Sequence, residues 1–272
     1  MTDAQEAACS IAAAKAVFFD WDGCLASGEN LLPGASDILG LLADKAYILS
    51  NNSTDHPRDF ARRLGEAGVR FPVEHILLAG HLALMQESIR SVGQPVHLVA
   101  APQMFAHAAN LGLAVVAEDD GGKASDAETI MILRDTSFTF HTLTQAANAS
   151  RSAKRIVVAN PDFTHPGPQG TVQPETGALF AAIRACLGDR EPYIEIFGKP
   201  NPALFRVALE RAGVAPADAV MVGDNPATDG AGATSTGIAF VHVHPEGPLT
   251  MARLAAAVGD CRQDGGLECL SR

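Results

Sequence analysis

Val17-Phe18-Phe19-Asp20-Trp21-Asp22-Gly23 sets three consecutive apolar residues against two carboxylates and a glycine. A short, wholly apolar run reads as a strand buried on both faces, as in a parallel sheet covered by helices. The polar tail then falls where such a sheet holds ligands, beyond the carboxyl ends of its strands. Working outward, Ala46-Tyr47-Ile48-Leu49, Ala219-Val220-Met221-Val222 and Ile238-Ala239-Phe240-Val241 repeat the pattern. Helix-like segments at 34–43, 57–67, 201–212, 226–233 and 248–258 separate or follow them. The one at 57 has a start signal, Pro57 at an early position with Asp55 nearby. Alternating strands and helices predict an α/β fold with a doubly wound parallel sheet.

The middle of the chain repeats the alternation with strands of its own at 96–100, 113–117, 129–134 and 155–159. Loops such as Glu118-Asp119-Asp120-Gly121-Gly122 separate them. The expected organisation is a core of 1–82 and 193–272 interrupted by a smaller α/β domain, 83–192. A length of 272 residues suits this, at roughly 150 residues per domain.

A chain 47% hydrophobic and 19% charged is ordinary for a soluble enzyme. Against 20 Lys+Arg stand 31 Asp+Glu, a net charge of −11. That balance argues against nucleic-acid or anionic-membrane partners, which reward a basic face. Residues 91–117 hold no Asp, Glu, Lys or Arg, but Gln94, Pro95, His97, Pro102 and Asn110 interrupt them. They read as strand, helix and strand rather than a membrane span. Asp3 and Glu6 before a short Ala-rich stretch do not make a signal peptide, which wants a basic start and a longer apolar run. Cysteines 9, 24, 186, 261 and 269 form no CxxC pair and read as reduced thiols of a cytoplasmic protein.

Four polar stretches follow apolar runs. In Asp20-Trp21-Asp22-Gly23, Asp20 is placed to attack as a nucleophile and form an acyl phosphate. Asp22 is placed to protonate the leaving oxygen and then deprotonate water. Ser50-Asn51-Asn52-Ser53-Thr54 offers a hydroxyl and exposed amides to a phosphoryl oxygen. In Gly198-Lys199-Pro200, after Tyr193-Ile194-Glu195-Ile196-Phe197, the lysine can neutralise nucleophile and phosphoryl group as a point charge. Gly223-Asp224-Asn225-Pro226-Ala227-Thr228-Asp229 offers Asp224 as a hard oxygen ligand for magnesium, with Asp229 to orient the set or pair with Lys199. Singly, each also fits a solvated turn, a helix cap or a surface lysine. Jointly they form one ordered chemical set.

That ordered quartet resembles the four motifs of the haloacid dehalogenase-like (HAD) superfamily. The finer resemblance is to its NagD-like, para-nitrophenylphosphatase-type branch, where a large α/β cap is inserted between the second and third motifs. Ser50-Asn51-Asn52-Ser53 is similar to the branch's T-N-N-S, Asn160-Pro161-Asp162 to its N-P-D, and Pro174-Glu175-Thr176-Gly177-Ala178 to its P-G-T-G-A. The resemblance covers nearly the whole chain from about residue 15.

It implies a Rossmann-like core with a cap, and a magnesium-dependent phosphatase acting on small phosphate monoesters through an aspartyl-phosphate. Asp20 would be nucleophile and magnesium ligand, and Asp22 the general acid/base that also gives magnesium its backbone carbonyl. Ser50 and Asn51 would contact phosphoryl oxygens, Lys199 would balance charge, Asp224 would bind magnesium and Asp229 would support the site. Sugar phosphates, nucleoside monophosphates and phosphoglycolate are among the branch's substrates, and cap-mediated homodimers are frequent in it. A phosphomutase or a non-catalytic phosphometabolite-binding protein would use the same loops. A dehalogenase would need neither Asp22 nor Asp224. Trp21, Cys24 and Glu175 depart from the pattern, and none removes a catalytic group. Asp162, Phe163 or His165 of the cap is placed to touch substrate, unless the stretch is only a polar loop. His242 and His244, two apart on a strand, lack the further ligands a second metal needs and read as structural.

Overall fold

The computed structural model describes residues 2–116, 127–166, 171–190 and 192–263. The loop at 118–122 and Cys269 fall outside them. The described chain divides into two compact units, one of residues 1–50, 57–77 and 199–272, the other of 51–56 and 78–198.

In chain order, α1 (Asp3–Ala13) precedes β1 (Ala16–Phe19) and the short β2 (Ala26–Ser27) and β3 (Asn30–Leu31). There follow α2 (Ala35–Leu41), β4 (Ala46–Ser50), α3 (Pro57–Glu66), β5 (Ile76–Leu78) and α4 (Ala79–Arg90). Next come β6 (Pro95–Val99), α5 (Pro102–Asn110), β7 (Ala114–Val116), β8 (Thr129–Ile132), α6 (Phe140–Ser152) and β9 (Arg155–Val158). A hairpin of β10 (Thr164–Pro166) and β11 (Val172–Pro174) leads to α7 (Thr176–Ala185) and β12 (Tyr193–Ile196). The chain closes with α8 (Pro202–Ala212), β13 (Ala219–Gly223), α9 (Ala231–Thr236), β14 (Ala239–His242) and α10 (Met251–Gln263).

The first sheet has the order β14-β13-β1-β4-β5, and β1 pairs in parallel with both β13 and β4. All four residues of β1 and all five of β4 and β13 are buried, the state their apolar runs predict. From β1 the chain proceeds to one side of the sheet, and the later strands β13 and β14 build the other. The gap between the ends of β1 and β13 is therefore a topological switch point, where open α/β sheets take their ligands. Trp21 turns into the core, 2% exposed, with its ring tilted at 4.6 Å from that of Phe60 on α3.

The second unit has its own parallel sheet, ordered β12-β9-β8-β6-β7. Its core packs Ile130, Ile132, Ile156 and Val158 of the strands against Phe180 and Ile183 of α7.

Three expectations need correction. The strand before Lys199 belongs to the second sheet, where Tyr193 to Ile196 pair with Arg155 to Val158, so Lys199 does not hang from a core strand. The two compact units part at 77/78 and 198/199, and 51–56 groups with the second. Apolar character marks a strand as buried but not which sheet buries it. In place of a helix from 226, a π-helical turn (Pro226–Gly230) leads into α9. Thirdly, Cys9 is disulfide-bonded, whereas Cys24 and Cys186 are free thiols.

Four helices, α1, α4, α6 and α7, have no counterpart among the segments placed from sequence; α1 is closed at its start by a capping box in which Thr2 and Gln5 exchange hydrogen bonds, and it packs on α10. Among the described residues no helix is long and apolar enough to cross a membrane.

Candidate active site

At the end of β1 the main chain is held to β13 by Asp20 N–H donating to Val222 O at 2.9 Å. It then turns sharply, Leu25 and Ala26 N–H both donating to Trp21 O and Gly23 N–H to Ala26 O. Gly23 has φ +81°, and a Cβ there would overlap the Asp224 carboxylate, so only glycine lets the two loops close. Asp20 points inward and is buried, whereas Asp22 is exposed.

Lys199 is 2% exposed, and its three donors are all engaged. It donates to Asp20 Oδ1 at 2.5 Å, Asp229 Oδ1 at 2.7 Å and Leu49 O at 3.1 Å. The π turn after β13 directs Asp229 back toward the strand ends, where its Oδ2 accepts from Asn225 N–H at 3.2 Å. Asp224 is half-buried, and His242 at the end of β14 bonds through Nε2 to the Asp224 main-chain oxygen at 2.9 Å. Sequence reading left His242 as a generic structural histidine. Its position two strands from Asp20 gave no local signal of this contact.

Burial pushes Asp20 well above the usual carboxylate range; Lys199 pulls it down, while Asp229 and Asp22 push it further up. Asp224 is also raised, first by burial and then by Asp229. For Lys199, burial acts against the charge but Asp20 and Asp229 outweigh it, so the ammonium persists. The cluster is short of positive charge. Cys24 is buried and its thiol is raised by burial, then by Asp20, which makes it an unreactive filler beside the site.

Asp20, Asp224 and Asp229 bring carboxylate oxygens within 4.8 Å of one another, a hard-oxygen set able to hold a divalent cation. The Asp22 side chain is not in that set. Asp20, Lys199, Asp224 and Asp229 thus converge, and Ser50 ends β4, buried. Asn51 falls in the second unit.

There the Asn51 amide donates to Asp162 Oδ2 at 2.9 Å. Asn160, fully buried, donates through Nδ2 to Asn51 O at 2.7 Å, Thr176 Oγ1 at 3.1 Å and Ser53 Oγ at 3.3 Å. Its Oδ1 accepts from Asp162 N–H at 3.1 Å. A Cβ at Gly177 would collide with the backbone oxygens of Pro161 and Asp162. The two cap signatures and the segment after β4 are therefore one hydrogen-bonded knot. Replacing Asn160 by Ala is expected to cost about 2–4 kcal/mol, because several buried partners lose their bonds at once. Urea unfolding checks this.

Phe163 is exposed. His165 Nδ1 lies 2.8 Å from Glu175 Oε1, close enough for an ion pair but without hydrogen-bond alignment. Burial, then Arg134, lowers the His165 pKa. Glu175, in place of the glycine of the branch signature, caps α7 by accepting from Thr176 N–H and faces Arg134 at 3.5 Å.

The family profile described as haloacid dehalogenase-like hydrolase matches residues 14–237. The chain belongs to the haloacid dehalogenase-like hydrolases. Dihydroxyacetone phosphatase of Corynebacterium glutamicum (strain R) is 29% identical over 262 residues, 90% of each chain. The structure of p-nitrophenyl phosphatase from Archaeoglobus fulgidus matches with a TM-score of 0.76 at 25% identity, over 91% of this chain and 92% of that one. Glycerol phosphate phosphatase from Mycobacterium tuberculosis, solved in complex with magnesium, matches at 0.73 and 26%, over 85% of this chain and 68% of that one. This haloacid dehalogenase-like hydrolase is a phosphoric monoester hydrolase, and its fold is similar to that of the p-nitrophenyl phosphatase.

Proposed function

We propose that the chain hydrolyses small phosphate monoesters in two steps, with magnesium as cofactor and an aspartyl-phosphate on Asp20. The observation that carries this reading is the buried Lys199 ammonium clamped between Asp20 and Asp229, with Asp224 beside them. Three carboxylates (Asp20, Asp224 and Asp229) interact with one lysine there, Asp22 adds its charge against Asp20, and burial raises Asp20 and Asp224. A divalent cation fits that deficit, held by Asp20 and Asp224 with Asp229 behind them and the Asp22 backbone carbonyl as a further donor. When bound, it supplies the positive charge that lets Asp20 ionise and that offsets charge on the phosphoryl oxygens.

Asp20 attacks phosphorus as the bond to the leaving oxygen breaks, and Asp22, the exposed acid, delivers a proton to that oxygen. Asp22 then takes a proton from water, which attacks the aspartyl-phosphate, releases inorganic phosphate and restores Asp20. Lys199 holds the attacking carboxylate in one orientation and contributes charge to the transferring group. Ser50 and Asn51 donate to the phosphoryl oxygens. The second unit acts as a cap that reads the leaving group, with Asp162, Phe163 and His165 as its contacts. A phosphate-release assay over a panel of monoesters, led by dihydroxyacetone phosphate and glycerol phosphate, tests the substrate class with and without magnesium. Release that does not depend on magnesium overturns the cofactor assignment.

The raised carboxylates make a second test. A carboxylate whose pKa is higher in the folded state contributes stability below its unfolded pKa, near 3.8, and loses it as pH rises through the folded value. Asp20 and Asp224 therefore weaken the metal-free fold toward neutral pH, and a cation that favours their ionised forms offsets this. At about 100 times its dissociation constant magnesium adds about 2.7 kcal/mol, or roughly 5–10 °C in Tm. The increment is expected to be largest at neutral pH and to shrink as pH falls toward 4. Paired thermal melts in magnesium and in chelator give the increment at each pH.

A further inference from the structure

We propose that His56, His81 and His107 form a binding site for a transition-metal cation of the zinc class. The three residues come from separate elements: His56 ends the 51–56 segment, His81 lies in the first turn of α4 and His107 in the last turn of α5. They are 25 (81 − 56) and 26 (107 − 81) residues apart, so no short-range ligand motif announces them. Folding brings their ring nitrogens within 4.8 Å of one another. His81 Nδ1 and His107 Nε2 are 2.6 Å apart, and the His56 ring lies edge-on to both, with centroids at 5.1 and 4.6 Å.

Three imidazoles this close repel one another when protonated, and the neutral ring is the form that ligates metal. The His107 pKa is lowered by burial and by His56. Imidazole donors suit zinc, copper, cobalt and nickel, in contrast to the all-carboxylate set at Asp20, Asp224 and Asp229, which suits magnesium. A tetrahedral site with metal–nitrogen bonds of about 2.0 Å spaces its ligands at about 3.3 Å. Seating a cation there requires the His81–His107 pair to open from 2.6 Å to that spacing. All three residues are half-buried, so the cluster is partly open to solvent.

The backbone around the cluster is already organised for it. Gly80 N–H, beside His81, donates to Asn52 O at 3.1 Å, and Gln103 of α5 donates to Thr54 O at 3.0 Å. Asn52 Oδ1 accepts from Thr54 N–H and Asp55 N–H, shaping the turn that ends in His56. The segment is thus tied to both helices before any metal arrives. A bound cation would add a third tie, at the end of the segment that begins with Asn51.

The test uses full-length protein without a histidine tag, stripped with chelator and titrated with Co2+ while visible absorption is recorded. Tetrahedral nitrogen-ligated Co2+ absorbs strongly, whereas a six-coordinate oxygen site gives only weak bands. The expected result is a strong band saturating at one equivalent, displaced by Zn2+ and retained in Asp224→Asn. In both His81→Gln and His107→Gln the affinity should fall by about 100-fold, with metal-free melts confirming that each variant is folded. Two variants keep the test open should one fail to fold. The proposal is overturned if the wild type shows only weak bands, if the strong band survives both histidine substitutions, or if Asp224→Asn abolishes it.

Discussion

Asp20→Asn is expected to leave the fold intact and reduce phosphate release by at least about 10⁴-fold. The substitution keeps side-chain shape, so the turn at Gly23 and the main-chain bond from Asp20 to Val222 survive. It removes the oxygen nucleophile and replaces one charged partner of Lys199 by a neutral amide. Asp229, the other carboxylate on Lys199, is held in a different role. Asp229 is 1% exposed, with one oxygen on Lys199 and the other on Asn225 N–H, and Asp224 is tied by the backbone to His242. Steady-state release from the best panel substrate, beside a circular dichroism spectrum, reads both halves of the prediction. Wild-type turnover in this variant would remove Asp20 as nucleophile. If no monoester is hydrolysed by the wild type yet a phosphorylated metabolite still binds, the mutase or binding-protein reading takes over.

Lys199→Met carries the second large effect, on stability as well as on rate. The methionine roughly conserves volume, so the loss is electrostatic: Asp20, Asp229 and the Leu49 carbonyl lose their shared donor together. Breaking a buried ion pair by removing one partner costs about 3–5 kcal/mol. Carboxylates left without a cation escape that cost by taking up protons. The variant is therefore expected to be weakest at neutral pH and to recover toward wild type as pH falls and Asp20, its carboxyl already raised by burial, takes up a proton. Urea midpoints across pH measure this. A stability difference that does not narrow on acidification would show that Lys199 acts by packing. Activity is expected to fall by about 10³-fold or more, since the site loses both the orientation of its nucleophile and a charge on the transferring group.

The parts of this site visible in the sequence share a physical feature: each is local. Asp20 and Asp22 follow a buried run and precede a glycine, and Asp224 and Asp229 sit in one short turn after another such run. The T-N-N-S-like, N-P-D and P-E-T-G-A segments were also legible, but only as signatures. Their meaning, a knot in which Asn160 bonds Asn51, Ser53 and Thr176, depends on segments more than a hundred residues apart.

The sequence by itself determined the α/β class, the buried strands of the first sheet, the presence of an inserted second unit and the identity of the acids and lysine. Apolar runs and turn residues encode those features within a few positions of the chain. Tertiary structure alone decided that the strand before Lys199 pairs with β9 and that His242 supports Asp224. It also decided that Trp21 fills the core rather than the site and that three scattered histidines meet. Those facts depend on which distant surfaces share a sheet or a packed face, and pairwise distance in a folded chain is not written in the spacing of its residues.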